Sequence, residues 1–375
     1  MARQEATPLR RGWTTGACAA AAAQAAFAAL LTGEFPDPVT IRLPRGQKPS
    51  FPLALAELDR NSARAGIVKD AGDDPDITHG ATIVAEIAWA APGSGIGFAA
   101  GEGVGTVTRP GLQLAVGEPA INPAPRAMIR EMLTDLADAN GAPPPDVTVT
   151  VAIPGGERLA EKTMNARLGI VGGLSILGTT GIVVPYSCSA WIHSIHSGID
   201  VARAAGLGHI AGATGATSES AVQKLHGLPE IALIDMGDFV GGMLKYVRTH
   251  PLPRVTIAGG VAKMTKLAQG LLDLHSRRGA VDLAVLARFA EAAGGSGELC
   301  TRISQANTAA EAFAQAAVDR VALGNEVARA AQDKAQQVVA GSGVAIEVML
   351  FDRDGQLVGH APFPPAHDRP LNLRR

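Results

Sequence analysis

Large aromatic side chains are scarce in this sequence. Phe, Trp and Tyr together make up 4% of 375 residues, whereas hydrophobic residues make up 47%. The core must therefore be built from Ala, Val, Ile and Leu, and a surface that stacks nucleic-acid bases is not expected. Lys and Arg are spread along a chain of net charge −2, which argues against nucleic acid or an anionic membrane as a partner.

Cysteine is also rare. Cys18, Cys188 and Cys300 lie far apart, so neither a disulfide framework nor a zinc-binding cysteine cluster is predicted, and a reducing cytoplasm is expected. The Ala-rich run 17–30 follows two arginines as in a signal sequence, but Gln24 interrupts it and no cleavage pattern is clear. We interpret this run as a helix of the mature fold, from about residue 17 to 31, and expect no membrane span.

The order of strand-like and helix-like segments predicts two kinds of architecture. Short alternating runs between residues 38 and 83 predict an antiparallel sheet, and "ATIVAEIAWA" at 81–90 predicts another strand. Strict alternation begins near residue 182, and it predicts a parallel sheet covered on both faces. The expected strands are 182–186, 209–213, 231–236 and 254–259, and the expected helices are 188–205, 217–226, 238–249 and 262–274. A long helix at 306–338 and a hairpin around the turn "RDG" complete the chain.

The predicted fold class is therefore α/β plus α+β, in three parts. Residues 1–175 form an N-terminal antiparallel-sheet α+β domain with glycine-rich loops that face the substrate. Residues 176–300 form a C-terminal parallel-sheet, Rossmann-like α/β domain. Residues 301–375 form a helix and hairpin that pack back on the body.

Ligands of open parallel sheets bind where strands end and strand order reverses. Four loops qualify: 185–187, 212–218, 235–238 and 259–263. "GATGATSE" places Gly215 and Ser218 at a helix start, which favours an anionic group, although capping by Thr217 or Ser218 explains the same residues. Asp238 is either a ligand residue or a helix cap. "GGVAKMTK" is not a phosphate loop, because Ala262 and Met264 flank Lys263.

Four aspartates and a histidine crowd the stretch "VKDAGDDPDITHG" at 68–80. Irregular spacing and Pro75 exclude a calcium loop, so no dedicated metal site is predicted. The carboxylates either build turns or repel one another so that one of them has a raised pKa suited to proton transfer. Lys69 and His79 are the obvious local partners. The helix start "TTGACAA" likewise offers either an anion site at Thr14 and Thr15 or ordinary capping.

Several longer stretches, taken in order, resemble the cobalt-precorrin-5B C1-methyltransferase family of cobalamin biosynthesis. They are "RRGWTTGACAAAAAQAA", "VKDAGDDPDITHGATIVAEI", "GEGVGTVTRPGLQLAVGEPAINPAPRAMI", "NARLGIVGGLSILGTTGIVVPYS" and "GGVAKMTKLAQGLLDLHS". The resemblance implies a soluble enzyme that uses S-adenosylmethionine to methylate C1 of the contracted ring, giving cobalt-precorrin-6A and S-adenosylhomocysteine. Cobalt enters only as part of the substrate. The chain departs from the family pattern at "GATGATSE" and "GGVAK".

The implied chemistry assigns roles to the candidate residues. A corrinoid precursor carries many carboxylates, which cations and helix starts would bind; the candidates are Arg11, Thr14, Thr15, Lys69, Arg109, Arg126, Lys263 and Lys266. The donor is expected at Ser187, Thr214, Gly215, Ser218, Asp235 and Asp238. Proton transfer from the ring is expected at Asp70, Asp73 or His79. A non-catalytic tetrapyrrole carrier and a small-metabolite kinase are the alternatives, and the oligomeric state stays open.

Overall fold

The chain divides into two units, Met1–Cys188 and Ser189–Arg375, and the computed structural model describes residues 9–365. It is a mixed α/β protein with several sheets. The division of the sequence into 1–175, 176–300 and 301–375 stays a prediction.

The first unit is built around the Ala-rich helix. Its elements are β1 (Gly12–Trp13), α1 (Thr15–Thr32), β2 (Val39–Thr40), β3 (Ser50–Phe51), β4 (Leu55–Leu58), β5 (Ser62–Val68), β6 (Thr82–Trp89), β7 (Ile96–Ala100), β8 (Thr106–Val107), α2 (Pro123–Ala139), β9 (Val147–Ala152), α3 (Gly156–Ala160), β10 (Ile170–Val171) and β11 (Ile182–Val183). The predicted helix at 17–31 is confirmed, and Thr14 is its cap, since its side chain accepts a hydrogen bond from the Ala17 amide. Alanines on nearly every face of α1 let it pack closely against β5, β6 and α2.

Helix α1 contains the Ala-rich run that resembles a signal sequence. Among the described residues it is long and apolar enough to cross a membrane, but most of it is buried inside this unit. The main sheet has the order β4-β5-β6-β9-β7. Its pairings are antiparallel as predicted, except that edge strand β7 runs parallel to β9.

The second unit contains one five-stranded sheet. Its elements are α4 (Cys188–Ala204, beginning at the unit boundary), β12 (His209–Ala213), α5 (Ala216–His226), β13 (Leu233–Asp235), α6 (Val240–Thr249), β14 (Arg254–Gly260), α7 (Val261–Ala268), α8 (Leu283–Ala292), α9 (Gly297–Ser304), α10 (Ala309–Val318), α11 (Leu323–Val338), β15 (Ala345–Phe351) and β16 (Leu357–Ala361). The order is β13-β12-β14-β15-β16, with the first four strands parallel and β16 antiparallel to β15. The predicted alternation from residue 209 and the final hairpin are confirmed.

Three details of the second half of the chain differ from the sequence prediction. The run 182–186 is not a strand of the parallel sheet, because β11 pairs with β1 in the first unit. The expected helix at 262–274 ends at Ala268, just before Gly270 takes a positive φ. The expected helix at 306–338 is two helices, because the chain turns between α10 and α11 with Arg320 at φ 58°.

Candidate functional site

The carboxyl ends of β12, β13 and β14 lie at one edge of the parallel sheet. From β12 the chain passes to β13 on one side and then returns to β14 on the other side. Strand order therefore reverses between β12 and β14, which is where open α/β sheets bind ligands. The loops predicted to bind a ligand after residues 212, 235 and 259 meet at this edge, which we call the switch edge.

The loop after β12 lies close against the end of β14. The Thr214 amide donates to the Ala258 carbonyl at 3.0 Å. A Cβ atom at Gly259 would lie 2.9 Å from the Thr214 side chain, so only glycine permits this approach. Thr214 and Ser218 are buried. The capping alternative is wrong here, because the α5 cap is Gly215, which has no side-chain cap bond, and Ser218 donates instead to the Gly215 carbonyl at 2.9 Å.

Lys263 connects two of these loops. Its Nζ donates to the Thr214 carbonyl at 2.9 Å and lies 3.1 Å from Asp238 Oδ1 as an ion pair. Asp238 is not the cap of α6, which begins at Val240 after Phe239. Lys263 was expected to bind substrate carboxylates, but it lies among the residues expected to bind the donor. The Asp238 carboxylate balances its charge.

An aromatic side chain that the sequence analysis missed lies beside the loop after β13. Trp191 on α4 donates from Nε1 to the backbone carbonyl of Asp235 at 3.0 Å, and its ring lies against Gly237. The Trp191 side chain is 46% exposed, unusual for the largest apolar residue. Its rarity, as one of three tryptophans, was the signal available in the sequence.

Ser187 belongs to the first unit and does not follow a strand of the parallel sheet. It follows β11, which pairs with β1 in the first unit, and it precedes α4. Its expected place at a strand end of the parallel sheet is wrong, because the run 182–186 does not join that sheet.

The aspartates of the 69–81 loop are bound within the first unit. Asp70 accepts bonds from the Arg10 guanidinium and from the Gly72 amide at 2.9 Å. Asp73 accepts the Arg10 amide at 2.6 Å. Asp74 accepts the Tyr186 amide at 2.8 Å. The bond from Gly72 to Asp70 supports the turn-building interpretation, whereas the bonds from Arg10 and Tyr186 connect the loop to distant parts of the chain.

The expected rise in the pKa of a crowded aspartate is wrong for two members of this loop. Hydrogen bonds from Arg10 and Gly72 lower the pKa of Asp70 to about 2. Burial raises the pKa of Asp76, but the Lys69 ammonium and bonds from Lys69 and Thr78 outweigh it and lower the pKa overall. Both carboxyls therefore stay ionised at neutral pH, because positive and amide partners offset the crowding.

His79 differs from the aspartates in its contacts. Its Nδ1 accepts the Ala71 amide at 3.1 Å and lies 3.9 Å from Asp70 Oδ1. The neutral ring therefore carries its proton on Nε2, and the side chain is 52% exposed.

Most of the expected substrate-binding residues have structural contacts. Lys69 is buried and bound to Asp76 and Thr78. Arg126 donates to the carbonyls of Ile121 and Pro119 and pairs with Glu118. Lys266 is buried and donates to the Leu274 carbonyl at 2.9 Å.

The hydroxyls at the start of α1 are also bound. Thr14 caps the helix, and Thr15 Oγ1 donates to the Leu177 carbonyl and accepts its amide, both at 3.1 Å. Arg11 and Arg109 are exposed, and the Arg109 guanidinium makes only a long 3.5 Å contact to the Arg167 carbonyl within residues 9–365. These two are the expected substrate cations that the geometry leaves accessible.

Comparison with known proteins gives two family matches. The CbiD family model matches residues 2–185, and the model of the CbiD C-terminal domain matches residues 273–362. Three relatives carry the name cobalt-precorrin-5B C(1)-methyltransferase. The protein of Bradyrhizobium sp. is 61% identical, covering 95% of this chain and 96% of its own. That of Halorhodospira halophila is 59% identical, covering 96% of each chain, and that of Agrobacterium fabrum is 58% identical, covering 96% and 94%.

One solved structure is also similar. It is the crystal structure of a cobalamin biosynthesis protein (cbiD) from Archaeoglobus fulgidus, which is 29% identical. The match covers 72% of this chain and 83% of that chain, with a TM-score of 0.40.

Proposed function

The chain belongs to the CbiD family, and we propose that it transfers a methyl group from S-adenosylmethionine to C1 of cobalt-precorrin-5B. The products are cobalt-precorrin-6A and S-adenosylhomocysteine, and the reaction takes place in the cytoplasm. Identity of 61% with a relative of that name, over 95% of this chain, carries the proposal. The enzyme is a C-methyltransferase of cobalamin biosynthesis.

The donor binds at the switch edge of the second unit, which we propose is a Rossmann-type fold. Two features support this placement: a glycine-containing turn opens α5 after β12, and an acidic residue, Asp235, ends the adjacent strand β13. In dinucleotide-binding sheets the nucleoside binds between such a turn and such an acidic residue, and the acidic side chain binds the ribose hydroxyl. The close approach at Gly259 and the buried Thr214 shape the crevice for it.

Lys263 and Trp191 complete this donor site. Lys263 holds the Thr214 and Asp238 loops together, so it positions the site rather than binding substrate carboxylates. The exposed Trp191 ring offers a face for adenine or for the sulfonium cation. The bound donor supplies the methyl group, and the protein holds it in line with C1; such positioning contributes about 7–11 kcal/mol in well-oriented reactions.

The first unit supplies the groups for the macrocycle. Arg11 and Arg109 pair with its carboxylates, since both are exposed and neither forms an ion pair within residues 9–365. Among the expected proton-transfer groups we assign the role to His79, because Asp70 and Asp73 are held by Arg10. The accepting atom is Nδ1, which gives up its bond from the Ala71 amide when it takes the proton. His79→Gln should lower turnover by about 10²-fold or more while Asp73→Asn leaves it unchanged. The opposite result would return the role to Asp73.

The activity is tested by mass spectrometry of the tetrapyrrole after incubation with cobalt-precorrin-5B and S-adenosylmethionine. Methyltransfer adds one methyl group at C1 and releases one equivalent of S-adenosylhomocysteine. A carrier would bind the tetrapyrrole and leave its mass unchanged. A small-metabolite kinase would bind ATP and fail to bind S-adenosylmethionine.

Calorimetry with S-adenosylhomocysteine tests where the donor binds. Asp235→Ala and Thr214→Ala should each weaken affinity at least tenfold, because one removes the ribose acceptor and the other opens the crevice. Asp333→Ala is the matched control, since Asp333 is exposed on α11. Wild-type affinity in both test variants would refute the placement without touching the proposed activity.

A further inference from the structure

A second polar cluster lies at the other end of the parallel sheet. His209 is the first residue of β12, Thr256 lies in β14, Glu347 in β15, and His226 is the last residue of α5. Thr256 and Glu347 are paired in register, and both lie near the amino ends of their strands. The cluster therefore lies away from the switch edge and is not used by the proposed methyl transfer.

Glu347 is the centre of this cluster. Its side chain is only 4% exposed. One carboxylate oxygen accepts His360 Nε2 at 2.9 Å, and the other accepts the Thr256 hydroxyl at 2.6 Å and lies 2.7 Å from His226 Nε2. The Thr256 hydroxyl is in turn 2.8 Å from His209 Nε2. The buried Glu347 carboxylate carries one negative charge, which one protonated imidazole would balance. Three imidazole rings nevertheless surround it, more than charge balance requires.

The contact between His226 and Glu347 has an unusual geometry. His226 Nε2 is buried and, despite its 2.7 Å distance from the carboxylate, makes no aligned hydrogen bond within the described residues. A buried ring nitrogen in that state needs another partner. The ligand atoms of His209, His226 and Glu347 all lie within 4.8 Å of one another. Tetrahedral bonds of about 2.1 Å place ligand atoms about 3.4 Å apart, so a small closure would bring these three onto one ion.

We propose that His209, His226 and Glu347 bind a divalent transition-metal ion of the zinc class. Two imidazoles and one carboxylate are a donor set that suits such an ion. Thr256 orients the His209 ring and His360 holds the second oxygen of Glu347, the kind of supporting contact that fixes metal ligands.

The surroundings bear on this site in two ways. The Phe363 ring lies edge-on to His209 at 5.3 Å and tilted to His226 at 6.5 Å, which covers the cluster with apolar surface. The Arg254 guanidinium lies over the Phe363 ring, 5.7 Å from its centroid, and is a nearby cation that opposes binding. The ion would join the end of α5 to β12 and β15, so its expected effect is on stability.

The test uses the untagged full-length chain in a Cys188→Ser background, because that exposed thiol would also bind zinc. After dialysis against a chelator, the protein is titrated with Zn²⁺ in competition with a chromophoric chelator, and Co²⁺ absorption reports coordination. We expect one equivalent to bind and the melting temperature to rise. Glu347→Gln and His226→Gln should weaken affinity at least tenfold.

His193→Gln is the matched control, because His193 is exposed on α4. If Glu347→Gln fails to fold, His226→Gln decides, since its ring lies at the end of a helix and is 24% exposed. Absence of saturable Zn²⁺ binding by the parent chain, or equal binding by folded His226→Gln, would overturn the proposal. The cluster would then be a hydrogen-bonded network alone.

Discussion

Replacing Lys69 by Met separates a structural role of this residue from a substrate-binding one. The Lys69 side chain is 1% exposed, and its Nζ contacts Asp76 and donates to Thr78 Oγ1 at 2.7 Å. The variant keeps the apolar stem but leaves the Asp76 carboxylate without its cation. Breaking a buried pair by removing one partner costs about 3–5 kcal/mol.

Asp76 moderates that cost. It is 26% exposed and keeps two bonds from Thr78, at 2.8 and 2.6 Å, so water and these donors partly compensate. We therefore expect the free energy of unfolding to fall by about 3 kcal/mol, at the lower end of that range. Urea unfolding followed by circular dichroism measures it, with the slope against urea unchanged.

Two further variants make this result decisive. Lys48→Met is the control, because Lys48 is exposed, and such surface changes stay within about 0.5 kcal/mol. Adding Asp76→Asn to Lys69→Met should restore part of the loss by removing the uncompensated charge. A loss below about 1 kcal/mol, together with weaker tetrapyrrole binding, would refute the structural role and favour substrate binding by Lys69.

Two other predictions concern packing and pH. A Cβ atom at Gly324 of α11 would lie 1.8 Å from the Val358 carbonyl, so Gly324→Ala should lower the stability by about 3 kcal/mol. The control is Gly297→Ala on α9, where a Cβ atom meets nothing within 4 Å and no loss is expected. Thermal melting compares the two variants, and equal melting temperatures would contradict the close packing at Gly324. The pKa of Asp70 is lowered to about 2 from its ordinary value of 3.8, so its contribution to stability is present above pH 3.8 and is lost as pH falls through 2. Unfolding midpoints between pH 4 and 2 should therefore fall more steeply for wild type than for Asp70→Asn, and parallel curves would exclude this contribution.

Local sequence patterns predicted the elements whose causes are local. The run of alanines and the Thr14 cap determine α1 within a few residues, and strand-helix alternation located β12, α5, β13, α6 and β14. The misplaced strand at 182–186 has a non-local cause. Residues 182–183 form a strand because β1 lies beside them, which no pattern in 182–186 reveals.

The same distinction applies to the candidate site. The strand-end rule predicted that the loops after residues 212, 235 and 259 would meet, because it depends only on strand direction and order. It did not predict that Lys263 would bind the Thr214 carbonyl and Asp238. The crowded aspartates were misjudged for a related reason: Arg10, which holds Asp70 and Asp73, precedes them by about sixty residues, and charge counting within 68–80 omits it.

The cluster of His209, His226 and Glu347 shows most clearly that sequence patterns do not predict contacts between distant residues. Its histidines are separated from Glu347 by most of the second unit, and no spacing of the kind that marks zinc motifs connects them. They meet because parallel strands β12, β14 and β15 place alternate residues on one face, and α5 ends above that face. Once the order of strands is known, the meeting follows from register, since Thr256 pairs with Glu347 and Met349 with His360. To predict this candidate metal site, one therefore needs the strand order in addition to the sequence.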